Sequence, residues 1–512
     1  MIRRLDKKIS FTYFFRLISC ILLVTGFNVQ ITLAQEWQSK FVKIKKDGHL
    51  QYIADQKGNT IPDFSHVGYH QNQKAIPQVQ VVATLSATGE NDEVKIQQAI
   101  NELAKKQPDA NGIRGAILLK KGTYKIPGSL KISSSGIVLR GEGEETILIA
   151  TGIGKRKTIM ASGEGKLIEI AGTRVKITDH YVPVGTKSLN LTSAKGLEIG
   201  DKIVVYRPAT ANWIHDLKMD QIEPGTGTIQ WTPEDYNFEF ERIITAINGN
   251  QITIDNPIVM AMEDQYGGGE IYKCAFDGRI SEVGIENLLL ESEYNGDTDE
   301  EHGWDAISFN KIENSWVSNV TSRYFGYSCV NLSHDSKQIT VKDSKCLAPK
   351  SQIIGGRRYS FNNDGQLNLF INCYASEGRH DYVTGAKVCG PNVFYNCKSE
   401  NAKADIGPHH RWAMGTLYDN ITTDGEINIQ DRGNWGTGHG WSGVNQVLWN
   451  CTASKVTIQN PYVSGVNYAI GVHAEKAEGR LKGRPIGVWE NQNKEGLKPS
   501  SLYLKQVEES KN

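Results

Sequence analysis

The chain has no net charge. Its 57 Lys and Arg residues balance 57 Asp and Glu residues over 512 positions. No global field draws it to nucleic acid or to a membrane surface, so nucleic acid is not an expected partner, and an anionic partner must be met by a local basic cleft. Paired cysteines are missing too. Of eight Cys residues, Cys20 lies in the N-terminal leader. The other seven, at 274, 329, 346, 373, 389, 397 and 451, contain no Cys-x-x-Cys pair. An odd count without paired spacing argues against a disulfide framework. Small, buried apolar side chains are the expected role. No stretch beyond the leader is long and apolar enough to span a membrane, so an integral membrane protein is not expected. Glycine, at 51 residues, is plentiful, and apolar runs are short. That combination favours an all-β chain rich in turns.

Residues 1–34 read as a signal peptide. Arg3, Arg4, Lys7 and Lys8 precede the apolar stretch that includes Ile21–Val24, and Thr32-Leu33-Ala34 forms a small-residue cleavage site before Gln35. The expected location is secreted or periplasmic. The apolar stretch continues past Cys20, which disfavours a lipoprotein.

Residues 35–154 divide into an N-terminal arm, a capping helix and a first set of rungs. Apolar residues at 96, 99, 100 and 103 have helical spacing, with Asn91 or Asp92 available as a cap. Very short strands follow at 116–119, 122–126, 130–132 and 137–141. A helix over one end of such a series covers an edge that otherwise invites pairing. Residues 155–280 break the pattern and read as a β-rich insertion packed on the body. From 281 to 470 one slot recurs at Asn287, Asn319, Asp343, Asn372, Asn396, Asp419 and Asn450, with spacings of 32, 24, 29, 24, 23 and 31. A period near 24 with inserted loops predicts a right-handed parallel β-helix, whose Asn slot forms a ladder at a turn. Cys373, Cys397 and Cys451 follow the slot and are expected inside. Asn319-Val320-Thr321, Asn420-Ile421-Thr422 and Asn450-Cys451-Thr452 match glycosylation sequons, but a place on the ladder is the preferred explanation. Residues 471–512 leave the repeat as a C-terminal cap and tail.

A β-helix with unequal turn loops walls off a groove that suits a long polymer. Five loops carry candidate groups. In 295–305, Asp297, Asp299 and Glu301 are weak Ca²⁺ candidates, against the plainer reading of a solvated acidic loop. Arg357 and Arg358 come next. Arg358 lies 14 residues before Asn372 and Tyr382 lies 14 before Asn396, which predicts neighbours on adjacent rungs. Arg suits a carboxylate or sulfate. In Arg379-His380-Asp381-Tyr382, an extended backbone points His380 and Tyr382 the same way, as a base and acid pair. His409-His410-Arg411-Trp412 and Arg432 with His439 and Trp441 complete the set. A single loop His is more often structural, whereas several on neighbouring rungs point to a site.

The segments Gly89 to Ile100, Gly115 to Tyr124 and Val138 to Gly143 resemble the start of pectate-lyase-like β-helix proteins. Gly355-Gly356-Arg357-Arg358, Gly378 to Tyr382, Gly407 to Trp412 and Gly438 to Trp441 resemble a subgroup of secreted bacterial polysaccharide lyases, with the ulvan-lyase type of marine Bacteroidota the nearest likeness. The resemblance implies β-elimination on a uronic-acid polymer, sulfated or not, by a monomer. It implies Arg358 or Arg411 as carboxylate neutraliser, His380 or His410 as base and Tyr382 as acid. Arg357, Arg379, His409, Trp412, Arg432, His439 and Trp441 would bind substrate. Pectate lyases proper hold Ca²⁺ with a trio of strand acids. That trio is not seen on these repeats, so no cofactor is assigned and Ca²⁺ stays open. Two alternatives remain. One is a glycoside hydrolase, which needs two paired carboxylates, although Asp305, Asp364 and Asp431 do not pair in rung phase. The other is a glycan-binding protein without catalysis.

Overall fold

The computed structural model describes residues 35–511; the signal peptide assigned to 1–34 lies outside them. Short strands stack in parallel, rung on rung, to form a right-handed parallel β-helix with three long sheets. One sheet runs through Gly303–Asn310, Ser328–Leu332, Tyr359–Asn363, His380–Thr384 and Asp405–Pro408. A second runs through Ile312–Arg323, Ser336–Lys342, Leu369–Ile371, Cys389–Tyr395 and Ala413–Asp419. The third includes Lys345–Leu347, Tyr374–Ser376 and Lys398–Glu400. Alternation along each strand sends Ile307, Val330, Phe361 and Tyr382 into one continuous interior with Phe370, Phe394 and Tyr418. Phe361 and Tyr382 stack at 5.5 Å, and Phe394 and Tyr418 at 5.3 Å. All seven described cysteines are free and buried, as expected of small core residues.

The Asn slot lies at the turn between the second and third sheets. Asn287, Asn319, Asp343, Asn372, Asn396, Asn420 and Asn450 share φ of 50° to 55°, a left-handed conformation in which Asn and Asp are the best-tolerated residues after Gly. Their amides bond rung to rung, Asn396 Nδ2 to Asn372 Oδ1 at 2.7 Å and Asn450 Nδ2 to Asn420 Oδ1 at 2.8 Å. Asp419 was expected in the slot, but Asn420 occupies it. Asp419 lies one residue earlier, buried, and accepts from Ser501 Oγ and the Tyr503 amide. Asn396→Val is therefore expected to cost about 2 kcal/mol, because a β-branched residue is strained at that φ and the ladder bond is lost. Asn396→Gly, which relieves the strain, should cost less. Chemical denaturation reads the difference, and equal losses would show that strain contributes nothing.

The first end is capped as expected. The helix Glu93–Ala104 buries Ile96, Ile100 and Leu103 over the opening rungs, and Asn91 Oδ1 receives the Glu93 amide at 3.1 Å. The path of the N-terminal arm and two boundaries are not given by the sequence. The N-terminal arm runs along the back of the coil: Trp37–Gln38 pairs with Leu497–Lys498, and Tyr69 donates to Glu282 at 2.6 Å beside Trp316. Arg156–Ser162 is a rung of the coil, between Leu130–Ile132 and Gly303–Asn310, so the insertion starts after Ser162 and not at 155. At the far end, His473–Ala477 and Val488–Glu490 still extend the sheets, and the expected tail is a helix, Leu502–Ser510, capped by Ser501. These differences share a cause. Strand pairing at a coil end depends on distant segments that no local pattern reports.

The insertion is an antiparallel sheet built on Lys202–Arg207, Phe238–Asn248 and Glu270–Ala275. It shares a core with the coil: Trp213, Trp231 and Met260 pack with Trp412, Met414 and Trp441. A buried charge group fastens it further. Glu241 accepts from Arg279 at 2.7 Å and from Lys337 at 2.8 Å.

Candidate functional site

Four histidines from three successive turns of the coil meet outside its core beside the first sheet, His380 and His409 buried and His410 and His439 half-buried. His380 opens the strand His380–Thr384, His409 and His410 follow Asp405–Pro408, and His439 comes from the loop after Glu426–Ile429. Ring centroids lie 4.5 Å apart for His380 and His409, 5.3 Å for His409 and His410, and 5.0 Å from His439 to both His409 and His410. Backbone geometry arranges the group. Arg411 and Trp412 both have positive φ, 55° and 69°. That bend leaves His410 and Arg411 half-buried at the surface and turns Trp412 under the insertion.

The electrostatics keep these rings neutral. His380 Nδ1 donates to the Asp405 carbonyl at 2.8 Å, which leaves Nε2 with the lone pair. That atom has no partner, nor do the Nδ1 atoms of His409, His410 and His439. Burial pushes His380 down to about 4 against the pull of Asp405. Burial and nearby cations, Arg432 and Arg411 among them, push His410 to about 3 and His439 to about 4. His409 is driven strongly down, by burial first and then by His380 and Arg432. Asp405 is also buried, but the guanidinium of Arg432, paired to its Oδ2, holds its carboxyl below the usual range.

Tyr359, unassigned in the sequence, joins the cluster. It pairs in register with His380, and its ring lies 4.9 Å from His380 and 5.3 Å from His409. Burial pushes its phenol up to about 12, with Arg379 beside it opposing the rise, so it keeps its proton at neutral pH. Tyr327 follows at 5.2 Å, and Trp304 lies parallel to Tyr327 at 6.3 Å. Alongside runs a polar chain. Asn331 Nδ2 reaches Asp305 at 3.2 Å, and Asn362 Nδ2 reaches Asn331 at 3.0 Å and Asp364 at 3.1 Å. Burial raises both carboxyls, Asp305 to about 6. On the other flank a hollow of 230 Å³ is lined by Trp231, Tyr236, Lys387 and Arg411.

Several candidates stand elsewhere. Tyr382 faces the interior, 0% exposed, and donates to the Cys373 and Lys398 carbonyls at 2.9 and 2.6 Å. It cannot reach a ligand in the groove. His380 and Tyr382 share strand parity, but His380 sits where the chain turns into the strand and the parity rule lapses. Arg358 is buried and donates to the Ser351 and Asp297 carbonyls, and Arg379 is the arginine beside Tyr359 and His380. Arg357 is held bidentately by Glu300 at 2.6 and 2.9 Å. Trp412 and Trp441 offer no face to a sugar: they are buried beneath the insertion and donate to Met260 Sδ and the Leu217 carbonyl. Arg432 is buried in its pair with Asp405 and acts from behind the rings. The weak Ca²⁺ candidates do not converge. Asp297 pairs with Lys350 at 2.8 Å, Asp299 accepts the Asn295 and Glu301 amides, and Glu301 is exposed. Among the described residues no group of three or more His, Cys, Asp or Glu side chains is placed to hold a metal ion. Asp431 is buried against Arg484 at 2.7 Å, which removes it as a groove carboxylate.

No protein-family model matches the chain. No curated protein matches it either. Among solved structures it is similar to the tailspike protein gp49 from Pseudomonas phage LKA1, at 16% identity and a TM-score of 0.47 over 75% of this chain and 56% of that one. It thus spans little more than half of the tailspike's length. It is also similar to an alginate lyase from Paenibacillus sp. str. FPU-7, at 11% identity and a TM-score of 0.39 over 81% of this chain and 99% of that one. A third likeness is the catalytic domain of a GH87 alpha-1,3-glucanase, at 10% identity and a TM-score of 0.37 over 82% of this chain and 65% of that one. The assignment of the fold rests on the chain's own strand pairing, a stack of short parallel strands closed into a β-helix.

Proposed function

We propose that the protein is a secreted polysaccharide lyase that cleaves an anionic, uronate-containing polymer by β-elimination. One observation carries this: four neutral histidines with unpartnered ring nitrogens meet beside a protonated tyrosine and the guanidinium groups of Arg379 and Arg411, on the open face of a β-helix. Elimination needs that set. The C5 proton of a uronate is acidic enough to remove only when the adjacent carboxylate is neutralised, because negative charge develops there. Arg411 and Arg379, both half-buried at the surface, are the neutralisers. His410 takes the proton and Tyr359 returns one to the glycosidic oxygen as the C4–O4 bond breaks. No water enters the bond, and the new chain end carries a C4=C5 double bond. His380, fixed by the Asp405 carbonyl, positions His409 and Tyr359.

A screen of uronate-containing polysaccharides, including an ulvan, tests this. The expected result is a rise in ultraviolet absorbance in step with chain cleavage, unchanged by chelator. Reducing ends without that absorbance would overturn the lyase reading in favour of hydrolysis. Asp305 and Asp364 favour that second reading, because both carboxyls are raised and joined through Asn331 and Asn362 in the same groove.

A further inference from the structure

Behind the loop that carries His439 lies a second basic feature. A cleft of 510 Å³ opens between three segments distant in sequence: the hook of the insertion at Lys218 and Glu223, the loop at Asp431 and Asn434, and the final coil at Arg480, Lys482 and Arg484. Separate contacts bring these segments together. Asn434 Nδ2 donates to the Pro224 carbonyl at 3.2 Å, the Ile229 amide to the Thr437 carbonyl at 3.0 Å, and the Arg480 amide to Gln430 Oε1 at 2.8 Å. Arg484 is neutralised by Asp431. Lys218, Arg480 and Lys482 are exposed and, among the described residues, none of them pairs with a carboxylate. Among the described residues lining the cleft, Glu223 is the one acid without an ion-pair partner. A chain with zero net charge thus places three unpaired cations around one concavity.

The cleft is joined to the histidine cluster by a single loop. Arg480 Nη1 donates to the Arg432 carbonyl at 2.9 Å, its Nη2 donates to Asn434 Oδ1 at 3.0 Å, and its guanidinium lies 4.9 Å from the exposed Trp435 ring. The guanidinium of Arg432 lies 5.4 Å from the same Trp435 ring and pairs with Asp405 behind His380. Seven residues after Arg432, the same loop delivers His439.

We propose that this cleft is an anion-binding subsite for a carboxylate or sulfate ester on a sugar flanking the one held at the histidines. The proposal rests on the reading of that cluster as the cleavage site of an anionic polymer. Lys218 and Lys482 supply point charges to the anion. Arg480 is a positioning residue that fixes the loop between subsite and cluster.

The test is affinity electrophoresis of the full mature chain in gels containing polygalacturonate, dextran sulfate or neutral dextran. The parent is His410→Ala, so that binding is read without turnover. The parent should be retarded by polygalacturonate, dextran sulfate or both, and not by dextran; the polymer that retards it identifies the anion as carboxylate or sulfate. Adding Lys218→Gln and Lys482→Gln should weaken that retardation by up to about tenfold, the size expected of two solvent-screened contacts. Lys218→Arg with Lys482→Arg should restore it. Both lysines are exposed and, among the described residues, neither makes a hydrogen bond or ion pair; Lys218 only lies 4.5 Å from the Tyr462 ring, so the melting temperature should stay nearly unchanged in every variant. Equal retardation of the parent and the double Gln variant would overturn the subsite, as would no retardation of the parent by either charged polymer. The lyase reading fails separately, if the wild-type chain produces no unsaturated ends.

Discussion

His410→Ala is expected to lower turnover of a uronate polymer by roughly 10²- to 10⁴-fold, the range for loss of a positioned general base, and to leave the melting temperature nearly unchanged. His410 is half-buried at the surface and makes no hydrogen bond that folding needs. Its ring is neutral down to about pH 3, so the acid limb of the rate profile should lie well below the ordinary histidine value near 6.5. A limb at 6.5 would remove His410 as the base. Tyr359→Phe separates the chemistry from the packing. It keeps the ring against Tyr327, His380 and His409 and deletes only the proton to be donated. A loss of about 10²-fold with normal folding is expected. Tyr382→Phe should behave in the opposite way. Two buried carbonyls, of Cys373 and Lys398, lose their shared donor, so stability should fall by about 1–3 kcal/mol while the folded enzyme keeps its turnover. If Tyr382→Phe folds normally and loses activity, the acid lies inside the coil and Tyr359 is the wrong assignment.

The second large effect is loss of stability in acid. The folded state denies a proton to His380, held at about 4, and the unfolded chain accepts one below the ordinary histidine value of 6.5. Between those values the unfolded state binds more protons, so stability rises with pH and is lost as pH falls from about 6.5 to 4. For His380 alone this amounts to about 3 kcal/mol, with His439 and His410 acting in the same direction. Two buried carboxyls oppose it. Asp305, raised to about 6, and Asp419, raised to about 7, keep protons that the unfolded chain releases, and so favour the fold as pH falls. The informative measurement is thus a difference. Melting curves of the wild type and of His380→Gln should converge as pH falls from 7 to 4.5, because Gln has no proton to accept. Parallel curves would mean that His380 is not held neutral in the folded chain.

Local rules made the repeat legible. Asn and Asp tolerate a left-handed φ, and a rung returns after about 24 residues, so the ladder showed in the numbering alone. It slipped once. Asp419 and Asn420 are adjacent and both fit the slot, and only the backbone angle separates them. The histidine segments are also visible as a set, because each lies in a loop or at the start of a strand between regular rungs. Which way each side chain faces was not. Nothing in the spacing marks Tyr382 as an interior residue or Tyr359, next to Arg358, as a neighbour of the histidines. Strand phase is reset at each turn, and a residue spacing cannot register that reset.

The amino-acid sequence by itself determined the coil, its inward cysteines, the capping helix and the loops that carry the reactive side chains, because each follows from periodicity, turn chemistry or composition within a few tens of residues. Tertiary structure alone decided which of those side chains meet. The insertion covers Trp412 and Trp441, Asp405 and Arg432 set the charge behind the rings, and the hook at Lys218 closes a cleft with residues more than two hundred positions away. Those outcomes depend on contacts between segments far apart in the chain, and burial, which shifts the proton affinities of the four histidines, exists only once the segments have packed.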